Sequence, residues 1–254
     1  MENIANIEFL RNRFQRVNNY YGKKGLTPQL SLLRIEEDLV NGQGVYNFDL
    51  KKENTSAVER NLKRNDLFVT LALGVGTRIE IIAKPNSTLV DFSPRIAVNL
   101  QGSGQGPADG AIGFTTEDIN AMYNGTLYIA TGTTVNFNDL PMNLFLSKED
   151  RERIYQYNPS GQTQYIFNGG KKYGFENQLK TMAEEITFSG TQDHVVKVSF
   201  PTFATSDYQA IDPTAGSGTN TYQSKIVFLA LGYRVVGGTQ PQYNEPGNPY
   251  ADCI

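Results

Sequence analysis

The chain has 254 residues, 23 Lys and Arg against 26 Asp and Glu for a formal charge of −3, and 39% hydrophobic residues. That balance excludes a global electrostatic pull toward nucleic acid or an anionic membrane. The single cysteine, Cys253, excludes an intramolecular disulfide and a structural thiolate metal site, and so suits a protein made in a reducing cytoplasm. With 24 Gly, 14 Tyr and 14 Phe, the composition favours strands and turns over helices, and the length suits one β domain with a sizeable core.

Taken in order, Asn3 to Asn18 carries Ile4, Ile7, Leu10, Phe14 and Val17 at helical spacing, with Arg13 and Arg16 pointing away from that stripe, which predicts an amphipathic helix ended by Gly22 and Gly25. Two uses are open to it. It packs on its own domain, or residues 1–25 form an arm that docks on a neighbouring subunit or turns its basic face toward genome or lipid.

Residues 26–238 read as the β domain. Gln29 to Asp38 and Val45 to Leu50, joined by the turn Asn41-Gly-Gln-Gly44, predict a hairpin. Lys51 to Asn65 is a polar connector whose Arg60, Lys63 and Arg64 read as solvated loop charge. It leads into Asp66 to Lys84, the longest β-prone run in the chain. There Leu67, Val69, Leu71 and Leu73 alternate with Phe68, Thr70 and Ala72, so both faces are apolar, as in a strand covered on both sides. Gly74 and Gly76 predict a bend or bulge, with Thr77 to Ala83 as a continuation or a second strand.

Further strands are expected at Ser87–Phe92, Arg95–Leu100, Thr126–Ala130, Thr133–Phe137 and Met142–Leu146, with short helices at Thr115–Tyr123 and Ser147–Tyr155 and a helical turn at Phe175–Met182. Glu185–Phe188 and Val195–Phe200 across Gly190 read as a second hairpin. The last strand, Ile226 to Val236, repeats the Leu-Ala-Leu-Gly of Leu71 to Gly74, either because two core strands share an environment or through an internal duplication. Residues 239–254 form a polar C-terminal tail.

Chemistry is sparse. His194 is the only histidine, stands beside Asp193 at a strand entrance, and has no serine in a nucleophile-elbow sequence to serve. The acidic groups Glu36-Glu37-Asp38, Glu117-Asp118, Glu149-Asp150 and Glu184-Glu185 would make a glycosidase only if two of them converged in a cleft. The Gly102 to Gly110 loop lacks the third glycine and the helix that a dinucleotide site needs. The sequence therefore nominates no catalytic, cofactor-binding or metal residue.

The stretch Leu33-Arg-Ile-Glu-Glu-Asp-Leu-Val-Asn-Gly-Gln-Gly-Val-Tyr-Asn-Phe-Asp-Leu50, followed by Arg60-Asn-Leu-Lys-Arg-Asn-Asp-Leu-Phe-Val-Thr70, resembles the early strands of jelly-roll major capsid proteins from tailless icosahedral bacteriophages. Asn124-Gly-Thr-Leu-Tyr-Ile129 and Asn138-Asp-Leu-Pro-Met-Asn-Leu-Phe145 are similar to the same family, so about half of the chain is involved. The resemblance implies an all-β antiparallel jelly-roll sandwich with an N-terminal helix and short helical insertions. A single roll is favoured, because chains with two rolls are usually longer, and a compact double roll is the alternative. It further implies a non-enzymatic structural protein of the virion, made in the host cytoplasm, without cofactor. Its partners would be copies of itself, other virion proteins and, through the basic helix, genome or internal lipid. The competing function is a β-sandwich module that binds a glycan or receptor.

Overall fold

The computed structural model describes residues 2–40, 42–53, 59–81, 88–93, 124–145, 153–157, 163–167, 179–200 and 222–239. These form one helix, α1 (Glu2–Lys23), and eleven strands: β1 (Gln29–Asp38), β2 (Val45–Phe48), β3 (Asp66–Ile81), β4 (Thr88–Ser93), β5 (Thr126–Thr131), β6 (Thr134–Pro141), β7 (Arg153–Tyr157), β8 (Thr163–Phe167), β9 (Lys180–Ser189), β10 (His194–Ser199) and β11 (Tyr222–Val236). A 3₁₀ turn, Met142–Phe145, takes the place of the strand expected there. Two segments expected to be helical are strands instead: Arg153 to Tyr155 lies in β7, and Lys180 to Met182 begins β9. The expected helix at Thr115–Tyr123 and strand at Arg95–Leu100 lie outside the described residues, as does the tail beyond Thr239.

All pairings are antiparallel. The larger sheet runs β1-β11-β3-β4, with β9 also on β3, and the smaller runs β2-β10-β5-β6; β7 and β8 pair with each other. Neither expected hairpin exists. β1 and β2 belong to different sheets, and so do β9 and β10, so each tight connection carries the chain from one sheet across to the other. Alternation along a strand fixes which face is apolar but not which neighbour it pairs with, and both strands of each couple present that face to the same interior.

That interior is a layer of Leu33, Ile35, Phe68, Leu73, Val75, Phe188, Ile226 and Phe228 from the larger sheet against Tyr46, Phe48, Leu127, Ile129, Val196 and Val198 from the smaller. Phe48 and Phe228 meet across it with ring centroids 5.8 Å apart. Each such side chain contributes about 1.5–3 kcal/mol by leaving water. The first crossover is also pinned by polar contacts: the Tyr46 hydroxyl accepts a hydrogen bond from the Val40 amide (3.0 Å) and donates to the Val40 carbonyl (3.3 Å).

β3 is a single sixteen-residue strand, uninterrupted by Gly74 or Gly76. Its irregularity falls earlier, at Leu71, which has no partner on β11 because Thr70 pairs with Gly232 and Ala72 with Leu231. The extra residue flips the alternation. Leu67, Val69 and Leu71 face outward toward α1, whereas Leu73 and Val75 face the interior, so Leu73 is not on the face that strict alternation assigns to it. The two Leu-Ala-Leu-Gly copies turn out to be neighbours, with Leu229 opposite Gly74, Ala230 opposite Leu73 and Leu231 opposite Ala72.

The outward face of the larger sheet is covered by α1, whose Val17, Tyr20 and Tyr21 pack on Leu67, Val69, Leu71, Tyr233 and Val235. The helix ends in a Schellman motif: Gly25 adopts φ +73°, its amide donates to the Gly22 carbonyl, and the Leu26 amide donates to the Tyr21 carbonyl. Leu26 then packs under the helix end. Arg13 does not point away from the sheet. It is 2% exposed and joins Val17, Tyr20 and Tyr21 on the face turned toward the domain.

Candidate functional site: buried ion pairs and a basic depression

His194 opens β10. Its Nε2 lies 2.7 Å from the Ser189 carbonyl, and its ring stands edge-on to Phe188 at 5.3 Å. Burial pushes the imidazole below its ordinary pKa, opposed by the Ser189 hydrogen bond, with the Lys51 charge lowering it further and Asp193 raising it. The Ser189 carbonyl holds Nε2 and Nδ1 is buried with no hydrogen-bond partner, so neither ring nitrogen is presented to an open site where it could act as a base. The neighbouring Asp193 turns to solvent and takes the Lys51 ammonium at 3.0 Å, which, through that hydrogen bond and charge, holds its carboxyl below the usual range. This histidine closes a turn.

The carboxylates are bound to cations rather than to each other. Glu36, wholly buried, accepts from Arg34 Nε at 2.8 Å and from Arg78 Nη1 at 2.6 Å. Two guanidiniums on one carboxylate satisfy its oxygens in a charge-assisted network, a requirement for any charge held out of water. Asp38 bonds Lys225 at 2.9 Å and Glu37 bonds Lys52 at 3.1 Å. On the helix-covered face, Glu185 of β9 receives Arg13 Nε at 3.5 Å and Arg16 Nη2 at 3.7 Å, while on the opposite face of the same sheet Asp66 lies 2.7 Å from Arg234 Nε. Each of these acids positions a strand or the helix. Glu117, Asp118, Glu149, Asp150 and Cys253 lie outside the described residues, and the Glu184 side chain is not described. Among the described residues no three of His, Cys, Asp and Glu converge as metal ligands.

The arrangement that sequence reading missed is at the end of the sandwich where the β2–β3 connection meets the β9–β10 turn. Lys51, Asn61, Leu62, Lys63, Arg64, Gly190 and Thr191 line an open depression of about 590 Å³. Its floor is fixed by backbone contacts. The Leu62 amide donates to Leu50, the Asp66 amide to Lys63, and the Gly190 amide to Asp66. Gly190 is required by close approach, since a Cβ there would sit 2.0 Å from the Lys63 carbonyl oxygen and 2.7 Å from that of Arg64. The cation-rich run from Lys51 to Arg64 was the available signal, but residues 51 and 63 are brought together only by the connection folding back on itself.

No family model, no curated protein and no solved structure matches this chain.

Proposed function

We propose that the chain is a structural shell subunit, a single jelly roll that self-assembles into the icosahedral capsid of a virion. The observation that carries this reading is the order of pairing. With β4 and the β7–β8 hairpin set aside as insertions, eight strands remain, and the first pairs with the last (β1 with β11), the second with the seventh (β2 with β10), the third with the sixth (β3 with β9) and the fourth with the fifth (β5 with β6). Rolling such a nested antiparallel ribbon yields sheets ordered 1-8-3-6 and 2-7-4-5, the two Greek keys of a jelly roll, on which viral shell proteins and lectins are built.

Between those uses, the surface favours assembly. One sheet is covered by α1, while the outward face of the other keeps Val45, Val135 and Val195 at 45%, 52% and 47% exposure. Ala130 stands between Val135 and Val195 in register, making an apolar row across three strands. Aliphatic side chains of this kind suit burial against protein, and the chain has no tryptophan for stacking on sugar.

The test is the mass and shape of the purified chain, by light scattering on a sizing column and electron microscopy of the peak. Closed shells, sheets or symmetric rings support the proposal. A species that stays monomeric across salt and concentration overturns it and leaves the glycan- or receptor-binding module.

A further inference from the structure

From the charge and rigidity of the depression at the β2–β3 and β9–β10 end, we propose that it binds the phosphodiester backbone of single-stranded nucleic acid through Lys63 and Arg64, with the Lys51 ammonium as a third cation masked by Asp193. The whole-chain charge of −3 gives no hint of this, and the helix carries less of its basic character outward than its sequence suggests, since Arg13 is buried on Glu185 and Arg16 reaches the same carboxylate. At the depression the balance reverses. Lys63 and Arg64 are exposed neighbours on a turn tied down by the Asp66 amide and by the close approach of Gly190, so their Cα positions are set before any ligand arrives. Neither makes an ion pair with a described residue.

The chemistry of the lining narrows the ligand. A guanidinium and an ammonium side by side are donors without acceptors, suited to phosphate oxygens, and Arg64 can take two of them at once. Among the described residues no aromatic lines the recess, so contact there is with the backbone rather than with stacked bases, independent of sequence. A recess also favours a strand that can bend into it over a duplex that stays stiff for about 150 base pairs. The Asp193 side chain is fully exposed with its carboxylate on Lys51, so its charge sits at the rim where a phosphate would pass. This assignment does not rest on shell formation, since a monomer would carry the same depression.

The experiment is the salt dependence of binding of labelled oligo-dT and oligo-dC to the full chain, read by fluorescence anisotropy. Wild type should bind both homopolymers alike, and more tightly than a duplex of equal length. The double substitution Lys63→Gln, Arg64→Gln should flatten the plot of log K against log [salt] by about 1.4, two contacts at about 0.7 each. Asp193→Asn removes the negative charge beside the Lys51 ammonium, which stays held by the Gln192 carbonyl at 3.1 Å, so it should tighten binding and steepen the same plot by as much as about 0.7, a gain that damage to the fold does not produce. No oligonucleotide binding by wild type, an unchanged slope in the double variant, unaltered or weaker binding by Asp193→Asn, or equal competition by poly-glutamate or by duplex would each overturn the proposal. Mass measurements on the same samples keep this outcome separate from the fate of the shell reading.

Discussion

Arg13 of α1 and Glu185 of β9 meet with Nε 3.5 Å from Oε1, at side-chain exposures of 2% and 5%, and so fasten the helix to the larger sheet by a charge pair removed from water. Breaking one side of such a pair strands the other charge, at a cost of about 3–5 kcal/mol, whereas replacing both with apolar groups of similar size costs far less. Arg13→Ala and Glu185→Ala should each lower the urea midpoint strongly. The double variant Arg13→Met, Glu185→Leu should recover most of the loss. Additive losses would show that the two side chains are not coupled.

Deleting α1 should act on stability before it acts on assembly. The outward faces of Leu67, Val69, Leu71, Tyr233 and Val235 lose the cover of Val17, Tyr20 and Tyr21. The truncated chain should melt at lower temperature and bind a hydrophobic dye, and a truncation that leaves the melting temperature in place would mean that α1 contributes little to this packing. Point changes on the exposed sheet are therefore the sharper probe of assembly.

Val195→Lys and Val135→Lys place charges in the uncovered apolar row of the smaller sheet. Away from the core, such changes alter folding stability by about 0.5 kcal/mol or less. On the proposed shell reading, particle mass should fall while the unfolding midpoint of the dissociated chain stays put. Full-size particles in both variants would remove this face from consideration as a contact.

Gly190→Ala forces a Cβ against the carbonyls of Lys63 and Arg64, which are backbone and cannot swing aside. Overpacking of this kind costs about 1–3 kcal/mol, and the urea midpoint should drop accordingly, together with any binding that depends on the positions of Lys63 and Arg64. A variant of wild-type stability would mean that the turn relaxes freely.

His194 gives stability a pH dependence of definite sign. Its folded pKa is lowered by burial, so once the pH falls below the unfolded value near 6.5 the unfolded chain takes up a proton that the folded chain resists, and stability declines. Asp193, whose carboxyl is lowered by Lys51, adds a loss in the same direction only at more acidic pH, below its ordinary 3.8. Urea midpoints between pH 8 and pH 5 should fall for wild type and change less for His194→Gln. Parallel curves would assign the loss to other groups.

Much of the architecture can be read from periodicity. β3, β5, β6, β10 and β11 lie where alternation and β-branched residues place them, and the helix follows from its apolar spacing. What alternation cannot convey is partnership. The two supposed hairpins are crossovers because the turn-forming residues Asn41 to Gly44 and Gly190 permit either geometry, and only the nested long-range pairing chooses. The bulge at Leu71 was equally hidden, since its neighbours are apolar on both faces and the glycines nearby were the more obvious irregularity. Arg13, expected to point away from the apolar stripe, is turned inward for a related reason: its partner, Glu185, is far along the chain. The basic depression is made of residues that are unremarkable singly and acquire meaning only where two connections meet.

The place of β11 has a consequence for how the chain comes into being. It lies between β1 and β3 in the larger sheet, yet it leaves the ribosome after every other strand described here. At about 5–20 residues per second, the interval between the emergence of Asp38 and that of Tyr222 is roughly 10–40 s, during which β1 and β3 wait with unpaired edges and bare apolar faces. Closure of the larger sheet therefore waits for β11, the last of the described strands to be made, and until then the facing edges of β1 and β3 stand open to wrong pairing.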